Sequence, residues 1–293
     1  MAVPSAILAN DLVLPRRFSL SVAIRRNPTI ALGGVLLFAL IVMAVLAPLI
    51  APADPLRIAP INRLSPPSER WWFGTDQFGR DVFSRTVYGA RVSLIVGLSV
   101  AAISSLLGLA LGLACGYFRR VDGLVMRVMD GLMAIPSILL AIALITLTRP
   151  GLLIVIVAIV IPEVPRIVRV VRSVVLSIRA QPYIESAIAG GTKNLKLLLR
   201  HVLPNTLAPL IVQSTYVCAS AMLIEAGLSF LGAGVPPEVP SWGNIIAQGR
   251  TFFQIAPWTI LIPGAFLAVT VLAVNLLGDG LRDRLDPRLA RRL

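Results

Sequence analysis

The chain has 293 residues, 57% of them hydrophobic and only 14% charged, with a formal net charge of +13. A water-soluble domain has no means of hiding that much apolar surface, so the composition excludes an ordinary soluble fold and predicts a polytopic, all-α membrane protein. The basic residues are scattered in short clusters between apolar runs and form no continuous basic face, so no nucleic-acid partner is expected.

Residues 1–28 are a basic leader holding Arg16, Arg17, Arg25 and Arg26, in which Pro4, Pro15 and Pro28 interrupt any long helix. The apolar run Thr29–Ile50 is too long for the core of a cleaved signal peptide, so residues 29–50 are expected to stay in the lipid membrane as a first transmembrane helix. Residues 51–91 form an external segment. It opens irregularly, with Pro52, Pro55, Pro60, Pro66 and Pro67. From Asp76 to Arg91 the charges Asp76, Arg80, Asp81, Arg85 and Arg91 alternate with Phe78, Val82, Phe83, Val87 and Tyr88, which predicts a helix lying in the outer interface.

Residues 92–293 carry five further expected spans. These are Val92–Phe118, Leu132–Leu147 with its flank Leu124–Gly131, Gly151–Ile161 continued through Val164–Val175, Thr206–Leu231 and Trp258–Leu277. Arginine and lysine concentrate in the segments that a cytoplasmic N-terminus places inside, while the outside segments hold few, such as Arg57, Arg63, Arg70 and Arg149. The positive-inside rule therefore predicts six transmembrane helices with both termini cytoplasmic.

In the second span Ser104, Gly108, Gly112 and Gly116 recur every four residues, a stripe that lets another helix approach closely, whether of this chain or of a partner. The third span holds Asp130 and Pro136, the fifth Glu225 and the sixth Asn275. Acids within a span avoid lipid, so these polar positions either line a path or sit at headgroup level. Arg166, Arg169 and Arg172 recur every third residue as in a gating helix, but no T-V-G-Y-G filter occurs, and they are read as anchors at the cytoplasmic end of the fourth span. Cys115 and Cys218 lie in apolar runs and are expected to be buried thiols, with no disulfide and no metal site.

Between the fourth and fifth spans lies an unusually long cytoplasmic segment, residues 177–205. Loops of this length tend to be functional. Ile184–Ala189 and Leu195–Val202 are predicted as two short helices around a turn at Gly190 and Gly191, giving a projecting knob, and Pro204 is predicted to open the fifth span.

Within that knob, Glu185-Ser186-Ala187 followed by Gly191 and then Leu203-Pro204 resembles the EAA loop of ABC-importer permeases. The stretches from Phe73 to Val82, Glu225 to Gly232, Pro240 to Gly243 and Asn275 to Asp283 extend the likeness. Together they resemble the C-type permease subunit of dipeptide and oligopeptide importers, from about Trp72 to Arg288. Ser186 stands where alanine is commoner, and Gly190 where a larger apolar residue is frequent. The resemblance implies the type I importer permease fold in a bacterial inner membrane. It also implies a homologous second permease, two ATP-binding-cassette ATPase domains that bind ATP and Mg, and an extracytoplasmic solute-binding protein. By the same resemblance Glu185, Ser186, Ala187, Gly191, Leu203 and Pro204 couple the chain to its ATPases. Asp76, Arg80, Asp81 and Trp242 are candidates for meeting the binding protein, with an interfacial anchor as an equal role for Trp242.

No G-x-x-x-x-G-K-[ST] phosphate loop occurs in the sequence, so the chain is not expected to be an enzyme or to carry a cofactor, and no catalytic residue is assigned. Peptide is the expected solute, although permeases of this kind also serve glutathione, nickel chelates or haem. An ion-coupled secondary transporter would use Asp130 and Glu225, but such transporters are usually built from internal repeats, and no convincing repeat is seen here.

Overall fold

In a medium without water each backbone N–H and C=O must find its partner inside the chain, and helices meet that demand segment by segment. The computed structural model describes residues 28–148 and 151–285, and helices dominate them, with no strand among the described residues beyond one isolated bridge between Thr75 and Asp81. The leader before Pro28 with Arg16, Arg17, Arg25 and Arg26, together with Arg149 and the tail holding Arg288, lies outside the described residues.

Helix α1 spans Pro28–Val45 and α2 spans Val82–Tyr117. Next come α3, Arg119–Met133, α4, Ser137–Thr146, α5, Leu152–Arg179, and α6, Pro182–Ala189. Helix α7 runs through Asn194–Phe230, α8 spans Trp242–Gly249 and α9 spans Trp258–Leu285. By length and composition α1, α2, α7 and α9 suffice to cross a membrane, and α3 with α4 adds a fifth if the pair is one broken span.

Four expectations are corrected. The helix predicted over Asp76–Arg91 is not a separate interfacial element. Asp81 caps α2 by accepting from the Ser84 N–H at 2.9 Å, so everything from Val82 onward belongs to one 36-residue helix, and the residues before it form a turn. Gly74 and Gly79 hold that turn at φ of +70° and +72°. The third expected span is not one rod, because α3 and α4 meet at 88°. Pro136 has no N–H and disfavours helix at the residue before it, which breaks the ladder at Ala134–Pro136.

The third correction concerns α5. Its arginines are not all at one end, since Arg166 lies near the midpoint of Leu152–Arg179, and half of this helix is buried. The fourth concerns the knob. Leu195–Val202 is not an independent helix, because the chain passes through a widened turn at Leu198–Val202 directly into the long helix. That extra width sits just before Pro204, where the ring would otherwise press on the carbonyl four residues earlier.

The core lies between α2 and α5, with α7 closing over both. Val96, Val100, Ile159, Ile167, Val168, Val171 and Val175 are all buried there. Helix α9 packs against α1 and α7 on the other side. At Gly33 of α1 an added Cβ would come within 2.7 Å of the Ala273 carbonyl oxygen, so the two backbones nearly touch.

Candidate coupling segment and buried polar sites

Helix α6 starts with Pro182 in its first turn, where the missing N–H costs nothing, and ends at Ala189. Beyond it Gly191 takes φ of +77°, its N–H bonds to the Ile188 carbonyl at 2.9 Å, and the Thr192 N–H bonds to the Ala187 carbonyl at 3.0 Å. This pair of bonds is a Schellman motif, which requires the left-handed residue that glycine supplies most cheaply. Ile184 and Leu197 anchor the knob from below, both fully buried. Its outer surface holds Glu185 and Ser186, with Ala187 half-buried. Tyr183, Ile188, Leu195 and Leu199 leave their apolar bodies exposed beside them. Leu203 and Pro204 lie at the root, half-buried and exposed respectively.

Sequence reasoning missed the residue that ties this knob to the spans. Tyr117, the last residue of α2, donates its hydroxyl to the Asn194 side-chain oxygen at 2.7 Å, and Arg179 at the end of α5 donates to the Tyr117 carbonyl at 2.8 Å. The Arg179 guanidinium also lies over the Tyr117 ring at 5.4 Å. One side chain thus joins three element ends. A tyrosine closing an apolar helix was the only signal of it in the sequence.

The stripe of small residues on α2 faces α5 of the same chain. A Cβ on Gly108, Gly112 or Gly116 would meet Ile167, Val171 or Val175 within 2.6 Å, and Ser104 is buried in the same stripe with no partner for its hydroxyl among the described residues.

Asp76, Arg80, Asp81 and Trp242, expected to meet a binding protein, lie inside rather than on the surface. Asp76 accepts from the Arg80 guanidinium at 2.6 Å and from the backbone N–H of Phe78 and of Arg80, while Gln248 of α8 accepts from Arg80 and from the fully buried Arg85. Trp242 donates its indole N–H to the Thr86 carbonyl at 2.9 Å. These bonds fasten the turn before α2 and α8 to the first turns of α2, and a buried charge without such partners would be costly. Neither Gln248 nor the buried role of Arg85 was visible in the sequence, because the partners lie about 160 positions away.

Glu225 is fully buried in α7 and accepts from Ser229 at 2.9 Å and from Ser241 at 2.8 Å, which leaves its second oxygen without a partner among the described residues. Ser241 also caps α8 through the Asn244 N–H. Asn275 is half-buried in α9. Asp130 is mostly exposed on α3 and accepts from Arg169 at 2.6 Å, while Asp122 takes Arg172 at 2.5 and 2.6 Å. The arginines of α5 therefore fasten α3, and the spacing of Asp122 and Asp130 was the overlooked sign. Arg166 instead turns to Glu163 on its own helix, at 3.1 Å. Cys115 and Cys218 are free and buried.

Comparison with known proteins places these features in a family. The profile described as binding-protein-dependent transport system inner membrane component matches residues 104–291, and that of the N-terminal TM domain of oligopeptide transport permease C matches residues 23–67. A probable peptide ABC transporter permease protein of Sinorhizobium fredii is 59% identical over 92% of both chains. The dipeptide transport system permease protein DppC of Alkalihalophilus pseudofirmus is 44% identical over 91% of this chain and 88% of its own. The oligopeptide transport system permease protein OppC of Bacillus subtilis is 35% identical over 99% and 98%. In fold, the chain is similar to the inward-facing MetNI methionine ABC transporter, with a TM-score of 0.52 at 20% identity over 66% of this chain and 94% of the other. The type I ABC permease architecture and the long matches at high identity agree, and the chain belongs to the family of binding-protein-dependent transport system inner membrane components.

Proposed function

We propose that this chain is the permease subunit of an ATP-binding-cassette importer, forming with a homologous permease the pathway for di- and oligopeptides across the bacterial inner membrane. Relatives named for peptide transport support the solute class. In this reading α3 with α4, and α5, complete six crossings. Both termini and the 177–205 segment face the cytoplasm, where Arg179, Lys193, Lys196, Arg200, Arg282 and Arg284 gather.

The observation that carries the reading is the tip of the 177–205 segment. A loop destined only for water has no reason to leave Tyr183, Ile188, Leu195 and Leu199 exposed at 47%, 49%, 69% and 54% around Glu185. An apolar patch held rigid by a Schellman turn and two buried anchors suits a groove on an ATPase partner. ATP and Mg belong to those partners, and this chain holds no cofactor of its own. Closure of the ATP-bound pair would move the knob and, through it, α7. Taking the spans from 1:99 to 99:1 between two states needs a difference of roughly 5.5 kcal/mol in how ATP binds them. An external binding protein delivers the solute. Its contact falls on side chains at the surface of the external segment, such as Ile61 and Trp72, which Asp76, Arg80, Asp81 and Trp242 hold in place from within.

Glu185→Lys tests this. The position is exposed, so the chain should insert and fold, while a reversed charge at the docking surface weakens binding or coupling by several kcal/mol. Peptide uptake and stimulated ATP hydrolysis by the reconstituted complex should fall about tenfold or more. Uptake at the unaltered rate with the complex intact on a native gel would refute the coupling role.

A further inference from the structure

Helix α5 is about 42 Å long at 1.5 Å per residue, and near its midpoint it carries Glu163 and Arg166. Glu163 is fully buried, and Arg166 donates through Nη1 to both of its carboxylate oxygens, at 3.1 and 3.3 Å. This bond orients the guanidinium without exhausting it. Nε and Nη2 have no partner among the described residues, and the side chain remains 46% exposed. Arg166 lines a cavity of about 330 Å³ at the break between α3 and α4, together with Met133, Pro136, Ser137 and Pro162. That volume falls within the range of small-molecule sites. Among the described residues that line it, Arg166 is the one charged side chain, so the cavity presents a guanidinium edge to an anion. A guanidinium edge matches a carboxylate with two parallel hydrogen bonds.

We infer that Arg166 is a solute contact, whose free guanidinium edge receives the terminal carboxylate of a peptide entering the cavity at the break between α3 and α4, while Glu163 holds the side chain in place. The inference rests on the peptide-importer reading and adds to it a residue and a chemical group. Arg169 and Arg172 do not share this role, because they do not line the cavity and reach Asp130 and Asp122 instead.

The test uses the whole complex in lipid vesicles with its binding protein, supplied with trialanine or with trialanine bearing a C-terminal amide. Loading of the binding protein with each peptide is matched beforehand, so that delivery is equal. The unaltered complex should carry the free acid about tenfold faster than the amide, the size expected for one charge-assisted pair of hydrogen bonds. Arg166→Gln also leaves the buried Glu163 without its cation, so it should lower transport of both peptides, but that of the acid about tenfold more than that of the amide, which erases the preference. Arg166→Lys keeps the charge beside Glu163, and with it the fold, but replaces the fork by a point charge, so a reduced preference should survive. Equal loss of both peptides in the lysine variant would mean that Arg166 only packs or pairs with the second permease, and would overturn the inference. So would an unchanged preference in the glutamine variant. If the unaltered complex carries neither peptide, the peptide-importer reading itself fails, an outcome separable from both of these.

Discussion

Two glycines with different physics show how much a single residue decides. Gly112 is small because Val171 is close, and an added Cβ would lie 2.6 Å from the valine Cβ. Gly191 is small because its backbone is left-handed, with nothing within 4 Å of the place a Cβ would take. Substituting alanine at Gly112 forces α2 and α5 apart and should lower the melting temperature of the detergent-purified protein by several degrees, at a cost of about 1–3 kcal/mol. Valine at Gly191 meets only the strain of positive φ, about 1–2 kcal/mol, confined to the turn. The melting temperature should then hardly move while uptake falls. Thermal unfolding of both variants beside an uptake assay checks the pair, and the assignment fails if the two effects are exchanged.

Among the elements, the join between the knob and the spans rests on few bonds. Tyr117 bonds Asn194 from the end of α2, and Arg179 reaches the Tyr117 backbone from the end of α5. Tyr117→Phe removes only the hydroxyl, keeping the ring under Arg179. The loss should be about 1 kcal/mol, local to the knob. Hydrogen exchange of the amides between residues 182 and 200 should accelerate about fivefold in the phenylalanine variant while the core of α2 and α5 stays protected. Unchanged exchange in the knob would show that the tyrosine bond does not hold it. The same logic of few strong bonds fastens α3, whose Asp122 and Asp130 are gripped by arginines of α5.

At the scale of the whole molecule the arrangement proposed in the membrane rests on where the basic residues lie. The proposed topology puts Ser68 outside and Ser186 inside, and both side chains are exposed. A cysteine at position 68 should react with a membrane-impermeant thiol reagent added to cells with a permeable outer membrane, and one at position 186 should not. The native Cys115 and Cys218 are 2% and 4% exposed and should contribute little background. Labelling at 186 with protection at 68 would invert the topology.

Composition and the spacing of apolar runs were enough for the membrane class, the helical architecture and the approximate place of most long helices, because the need to satisfy the backbone in lipid acts on each segment alone. The positive φ of Gly191 and the closeness demanded by Gly108, Gly112 and Gly116 were legible for the same reason, since a turn or a small-residue stripe is a local pattern. Tertiary structure alone decided which helix that stripe faces, that Asp76, Arg80 and Arg85 are buried around Gln248, and that α3 and α4 meet at a bend. It alone separated Arg166 from Arg169 and Arg172, residues of one period on one helix. The reason is that the cost of a buried charge is set by its surroundings: the partners of Arg169 and Arg172 come from another helix, while Arg166, paired with Glu163 on its own helix, faces a cavity that exists only once α3, α4 and α5 have packed.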